Sequence, residues 1–245
     1  MNDIGFNQNL FQALMIEKAN NIKSGIWGFT QREFAYNSTF LHASSGFTFD
    51  NVTHLFDTGT IKSSRDLSVK DIQEVMGHFV MFDTMLDFLY VPLDLDMIKF
   101  THKSLKQGVY DDISKHYAIG NYKTKKNFSF RGIEVAMPNE VPLRMEKLMS
   151  DYWYYVKTLR SIAAFHVEFE RIHPFQDGNG RVGRMIMFRE CLTHGVTPFI
   201  IRRANAKEYI DDLILAQTGN IEPLIGYFMK EQKWYANKVS EILVM

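Results

Sequence analysis

One stretch of this chain, His173-Pro174-Phe175-Gln176-Asp177-Gly178-Asn179-Gly180-Arg181-Val182-Gly183-Arg184, gathers a proton acceptor, a carboxylate, a glycine-flanked amide and two guanidinium groups. Gly178 and Gly180 let the backbone turn its N–H groups toward one point at a helix N-terminus, an arrangement that binds anions. Arg181 and Arg184 stand three apart and so share a helical face. Two cations in a first turn oppose the helix dipole, and a bound polyanion such as nucleotide phosphates accounts for them best. Asp177 is a hard oxygen ligand just outside those amides, placed to hold Mg²⁺ bridging phosphate oxygens. The imidazole of His173 can accept the proton of an attacking hydroxyl. At average composition the joint pattern has a chance probability on the order of 10⁻⁹ per start position.

Two other readings of the same residues fail on context. Gly178-x-Gly180-x-x-Gly183 satisfies a dinucleotide fingerprint, which requires a preceding strand in a βαβ unit. A helix carrying Phe165, His166 and Phe169 precedes it instead. A zinc hydrolase built on His166, Glu170 and His173 lacks the His-Glu-x-x-His spacing and a third ligand, and His166 reads as a packed core histidine.

The elements that must position the loop are helical. Ile162, His166, Phe169 and Ile172 mark one face of a helix ending near His173. Val182 to Leu192 is apolar almost all round, as a buried central helix is, and Gly195 closes it. Further helices are expected over Asp3–Ile22, Trp27–Tyr36, Ser68–Tyr90 with Ser68 as N-cap, Leu95–Gln107, Ala206–Ala216 and Glu222–Leu243. Ser44-Ser45-Gly46 reads as a turn, and helices resume after Pro142. Asn127 to Ala136 breaks this pattern. It alternates apolar and polar on both sides of Gly132, which suits a short β-hairpin.

Composition bounds the rest. With 245 residues, 46% hydrophobic and 23% charged, the chain can bury a sizeable core in one large domain. Its 28 basic and 28 acidic side chains give zero net charge, against a general nucleic-acid or membrane binder. A single cysteine, Cys191, excludes a disulfide framework. Met1–Gly5 shows no basic region leading into an apolar run, so the expectation is a soluble, cytoplasmic protein.

The 173–184 string resembles the signature of the Fic (filamentation induced by cAMP) family, His-x-Phe-x-(Asp/Glu)-Gly-Asn-Gly-Arg-x-x-Arg, and matches every specified position. The order of the other elements is similar too, over about Glu33 to Phe228. The resemblance implies an all-α, Fic-type helical bundle with a small β-hairpin flap. It implies one domain over 1–245, with N-terminal helices in 1–65, a Fic core in 66–230 and the C-terminal helix end in 231–245. It also implies a protein adenylyltransferase, moving AMP from ATP to a Ser, Thr or Tyr hydroxyl of a target protein. His173 would be the general base and Asp177 the Mg²⁺ ligand. Gly178, Asn179 and Gly180 would cradle phosphate, with Arg181 and Arg184 on the outer phosphates and Tyr209 and Gln217 lining the adenine and ribose pocket. Phe130, Arg131, Gly132 and Ile133 would form the flap that aligns a target strand by main-chain pairing. The intact Gly-Asn-Gly favours AMP transfer over the phosphoryl or phosphocholine transfer of divergent members. Transfer of another nucleotide monophosphate stays open, as does a non-enzymatic interaction module on the same fold.

Many members carry an inhibitory helix, (Ser/Thr)-x-x-x-Glu-(Gly/Asn), whose Glu pairs with the second motif Arg. Here Ser38 is in place, but His42 and Ala43 occupy the last two positions. Val239-Ser240-Glu241 offers no substitute at the right spacing. The expectation is that Ser38–Ala43 packs near the loop yet leaves Arg184 free for ATP. Restraint would then come from a homo-oligomer, a separate regulatory partner or target availability.

Overall fold

In the computed structural model the described residues are 3–41, 46–62, 67–127 and 135–243, with side chains described from Phe6 onward. They form eleven α-helices and a single 3-10 turn at Arg203–Asn205. Helix α1 is Asp3–Ala19 and buries Leu10 and Leu14. It stops before Ile22 because Asn21 turns left-handed at φ 52°. The Ile22 N–H then reaches back to the Glu17 carbonyl at 2.8 Å, taking up an orphan carbonyl at the helix end.

Helix α2, Ile26–Thr39, runs past the expected end at Tyr36 and so carries Ser38 in its last turn. Helix α3, Phe49–Thr58, has no counterpart in the sequence reading. Its signals are local nonetheless: Thr48 and Asn51 form a reciprocal capping box, and Gly59 ends it at φ 70°. Helix α4 is Val69–Asp87, with Ser68 Oγ accepting the Asp71 N–H at 3.0 Å. Helix α5 is Leu95–Lys106, capped by Asp94, and α6 is a short turn at Tyr110–Ser114. After α7, Val141–Tyr154, come α8, Leu159–Ile172, and α9, Asn179–Thr193. Helices α10, Ala206–Gln217, and α11, Glu222–Leu243, complete the fold.

Helix α9 is the centre, packed against α2, α4, α5 and α8. Its Phe188 meets Phe34 of α2 and Phe82 of α4 at ring separations of 5.4 and 5.7 Å. Each fully buried Phe contributes about 1.5–3 kcal/mol of transfer free energy, so this cluster fixes the axis along which the 173–184 loop is presented.

The architecture is all-α, and no strand occurs among the described residues. The expected flap residues Phe130, Arg131, Gly132 and Ile133 lie outside the described residues, as does His42. At the flanks of the expected hairpin, Asn127 and Val135–Ala136 carry no ladder pairing. No described helix is long and apolar enough to cross a membrane.

Candidate active site

Helix α8 ends because His173 adopts a left-handed conformation, φ 52°, and Pro174 cannot continue the ladder. The chain re-enters helix at Gly178, also left-handed at φ 83°, where an added Cβ would come within 3.2 Å of Leu105. Between these points nearly every group is tied down. Asn179 accepts the Phe175 N–H at 2.7 Å and donates to the Phe175 carbonyl at 2.8 Å. Its side chain is thus spent on holding the loop, which leaves its backbone for any anion. From the other side, the Lys123 N–H donates to Pro174 O at 2.8 Å, and Asn127 Nδ2 to Phe175 O at 2.9 Å.

His102 supplies the floor. Its ring stacks on Phe175 at 3.9 Å with an interplanar angle of 2°. Nδ1 accepts the Gly120 N–H at 3.0 Å, so the ring proton sits on Nε2 and is donated to Asp177 O at 3.1 Å. Burial pushes the His102 pKa down to about 3, which keeps the ring neutral.

The cations are not idle, which corrects the expectation drawn from the helix dipole. Lys106, 1% exposed in its side chain, donates to Glu74 at 2.6 Å and to Asp177 Oδ2 at 2.8 Å, and also pairs with Asp112. Arg181 pairs with Glu74 and reaches Asp177 Oδ2 at 3.4 Å. Burial disfavours the Asp177 carboxylate, but the Arg181 and Lys106 charges outweigh it and hold its pKa well below the usual range. Arg184 is not free either. Its Nε donates to Ser38 Oγ at 3.0 Å and its Nη2 to Ser38 O at 2.9 Å. The end of α2 does pack beside the loop, but it engages Arg184 with a hydroxyl and a helix-end carbonyl.

These groups surround one cleft of about 620 Å³. The loop gives it His173, Asp177 to Arg181, and Arg184; α2 gives Ser38; α10 gives Tyr209 and Gln217. The Tyr209 hydroxyl is engaged by the buried His166, 2.7 Å from its Nε2. Every expected site residue that is described therefore lines this cleft. Three apolar wall residues, Ile210, Leu213 and Ile214, were missed. With Gln217 they follow the spacing of one helical face, a signal the sequence carried. Glu74, Lys106, Asp112 and His102 had no such signal, because nothing near them in sequence announces their partners.

The carboxylate oxygens of Glu74, Asp112 and Asp177 lie within 4.8 Å of one another. Lys106 and Arg181 already offset two of its three charges, so it does not read as an all-protein cation cage. Asp177, 40% exposed in its side chain, alone of the three opens to solvent, and one open carboxylate beside substrate phosphates is how Mg²⁺ is usually held.

A turn between two helices thus brings a histidine, a carboxylate and backbone amides to one cleft of a helical domain. Residues 92–191 of the chain match the Fic/DOC family. Among curated proteins, protein adenylyltransferase Fic of Culex quinquefasciatus is 30% identical over 94 residues, 37% of this chain and 19% of that protein. The protein of the same name from Drosophila mojavensis is 28% identical over 153 residues, covering 55% of this chain and 30% of the relative. The chain thus spans less than a third of the length of these relatives. A Fic-domain-containing signaling protein from Bacteroides thetaiotaomicron shares the fold over 99% of this chain and 92% of its own, with a TM-score of 0.70 at 22% identity. A Fic family protein from Desulfovibrio desulfuricans does so over 98% and 75%, with a TM-score of 0.72 at 20% identity.

Proposed function

We propose that the protein is an ATP-dependent nucleotidyltransferase that moves AMP to a Ser, Thr or Tyr hydroxyl of a target protein. The observation that carries this reading is the convergence of His173, the backbone amides at the start of α9, and Arg181 and Arg184 on one cleft walled by Ile210, Leu213 and Ile214. The apolar wall takes the base, and the first turn of α9 takes the phosphates. His173 removes the hydroxyl proton as the oxygen attacks the α-phosphorus, the bond to pyrophosphate breaks, and pyrophosphate leaves. Mg²⁺, when bound at Asp177, supplies charge neutralisation for the outer phosphates. Arg184 joins them only by giving up Ser38. Phe130, Arg131, Gly132 and Ile133 are the proposed flap, pairing with an extended strand of the target. The adenylyltransferase names of the relatives support the reaction class.

The test is labelling. With Mg²⁺ and ATP labelled at the α-phosphate, the protein is expected to label itself or a lysate protein, and label from the γ-phosphate alone would point to a kinase instead. His173→Ala is expected to lose most of the rate with ATP binding nearly intact, since it removes a proton acceptor and no phosphate contact. Phe130→Pro is expected to abolish target labelling and spare ATP binding; unchanged labelling would reject strand pairing.

A further inference from the structure

One acidic side chain of the cleft has no place in that scheme. Glu170 lies one helical turn before His173, and its side chain is only 10% exposed. Its Oε2 stands 3.6 Å from His173 Nδ1, while Oε1 is buried with no hydrogen-bond partner. Two other arginines do not pair with it. Arg144 and Arg171 both bind Glu168, at 2.9 and 3.2 Å. His173 is therefore the one ion-pair partner of Glu170 among the described residues.

Backbone geometry produces the approach. At φ 52° His173 leaves the helical path, and residues three apart on a helix are neighbours. Burial raises the Glu170 pKa, but the His173 contact, with the Arg184 charge further off, outweighs it and brings the carboxyl to about 2. It is thus an ionised acceptor, buried beside the Nδ1 side of an imidazole whose residue lines the cleft. Catalytic hydrogen bonds are often long without substrate and shorten when it binds, so 3.6 Å is within reach of closure.

We propose that Glu170 is a positioning residue for His173, accepting the Nδ1 proton so that Nε2 keeps its lone pair for the target hydroxyl. This rests on the reading of His173 as the base. In the step itself the hydroxyl proton passes to Nε2, the oxygen–phosphorus bond forms, and the phosphorus–pyrophosphate bond breaks. The imidazolium so formed has a carboxylate against its other nitrogen and returns the proton to solvent afterwards. Glu170 stays ionised throughout and touches neither ATP nor target.

The test has an arm that needs no activity. In the full chain labelled with ¹⁵N-histidine, with the His173 signal assigned by its loss in His173→Ala, His173 is expected as the Nδ1–H tautomer near neutral pH. Glu170→Met is expected to shift it toward Nε2–H. An Nε2–H ring in the unaltered protein, or no change on substitution, overturns the proposal. In the labelling assay Glu170→Met is expected to lower kcat on the order of 100-fold with KM for ATP within about threefold. Glu170→Gln, isosteric and still an acceptor, is expected to fall between. It takes the place of the Met variant if that one fails to fold, and a kcat equal to that of the unaltered protein then overturns the proposal. If the unaltered protein labels nothing, the transferase reading fails while the tautomer result still decides the Glu170–His173 pair.

Discussion

Arg184 gives two of its donors to one residue: Nε to the hydroxyl of Ser38 at 3.0 Å and Nη2 to the Ser38 carbonyl at 2.9 Å. That carbonyl is free to accept because Ser38 sits in the last turn of α2, where helix carbonyls lack intrahelical partners. The contact competes with any phosphate that needs the same guanidinium. Ser38→Ala removes the hydroxyl and keeps the carbonyl, a loss of about 1 kcal/mol of competition. ATP affinity measured by calorimetry is expected to rise roughly fivefold. Unchanged or weaker binding would mean that Ser38 does not compete with the nucleotide.

Residue 42 falls outside the described residues, but it follows Ser38 at the spacing of the family's inhibitory Glu. His42→Glu is therefore expected to lower AMP transfer markedly, by a charge-assisted pair to Arg184. The double change with Arg184→Ala should lower it no further than Arg184→Ala does by itself. A rate unaffected by His42→Glu would show that this segment does not act as an inhibitory helix.

Lys106 holds Glu74, Asp112 and Asp177 together from a fully buried position. Lys106→Met leaves three carboxylates facing one another, with Arg181 as their remaining ion-pair partner among the described residues. Removing one partner of such a buried network costs about 3–5 kcal/mol. The urea midpoint should fall accordingly and recover partly at mildly acidic pH as the freed carboxylates take up protons. A midpoint close to that of the unaltered protein would show that Lys106 is dispensable to the fold.

Acid sensitivity is expected to begin well above the carboxylate range. Burial lowers the pKa of His102 to about 3 and of His166 to about 4, against about 6.5 in an unfolded chain. Below pH ~6.5 the unfolded chain therefore binds protons that the folded one refuses. Stability is full above that pH and falls as pH drops, by about 1.4 kcal/mol per unit for each histidine, until the folded values are reached. Asp177, depressed by Arg181 and Lys106 against its burial, adds a further loss below pH ~4. Urea unfolding at pH 7.5, 6.5 and 5 checks the upper window. A flat midpoint would contradict two neutral buried imidazoles.

Phe188 ties α9 to α2 and α4 from within the helix that carries Arg181 and Arg184. Phe188→Ala is expected to cost about 3–5 kcal/mol by calorimetric unfolding, from lost transfer energy and the cavity left behind. A loss under about 1 kcal/mol would mean that the central packing tolerates the void.

The make-up of the 173–184 loop was legible because it is local. Left-handed His173, Pro174, Gly178 and the first turn of α9 are short-range features, and they bring an imidazole, a carboxylate and helix-start amides into one short stretch. The helices with caps at their own ends were equally readable, and α3 was missed although its Thr48–Asn51 box and Gly59 were there to be seen. What the guanidinium and ammonium groups do could not be read that way. Lys106 meets Glu74 and Asp177 across 32 and 71 residues, and Arg184 meets Ser38 across 146. Such pairings have no sequence period, because they depend on which helices apolar burial brings face to face. The residues of the site were thus determined locally, whereas only the packing of α2, α4 and α5 against α9 decided which of their charges are committed and which remain open to a ligand.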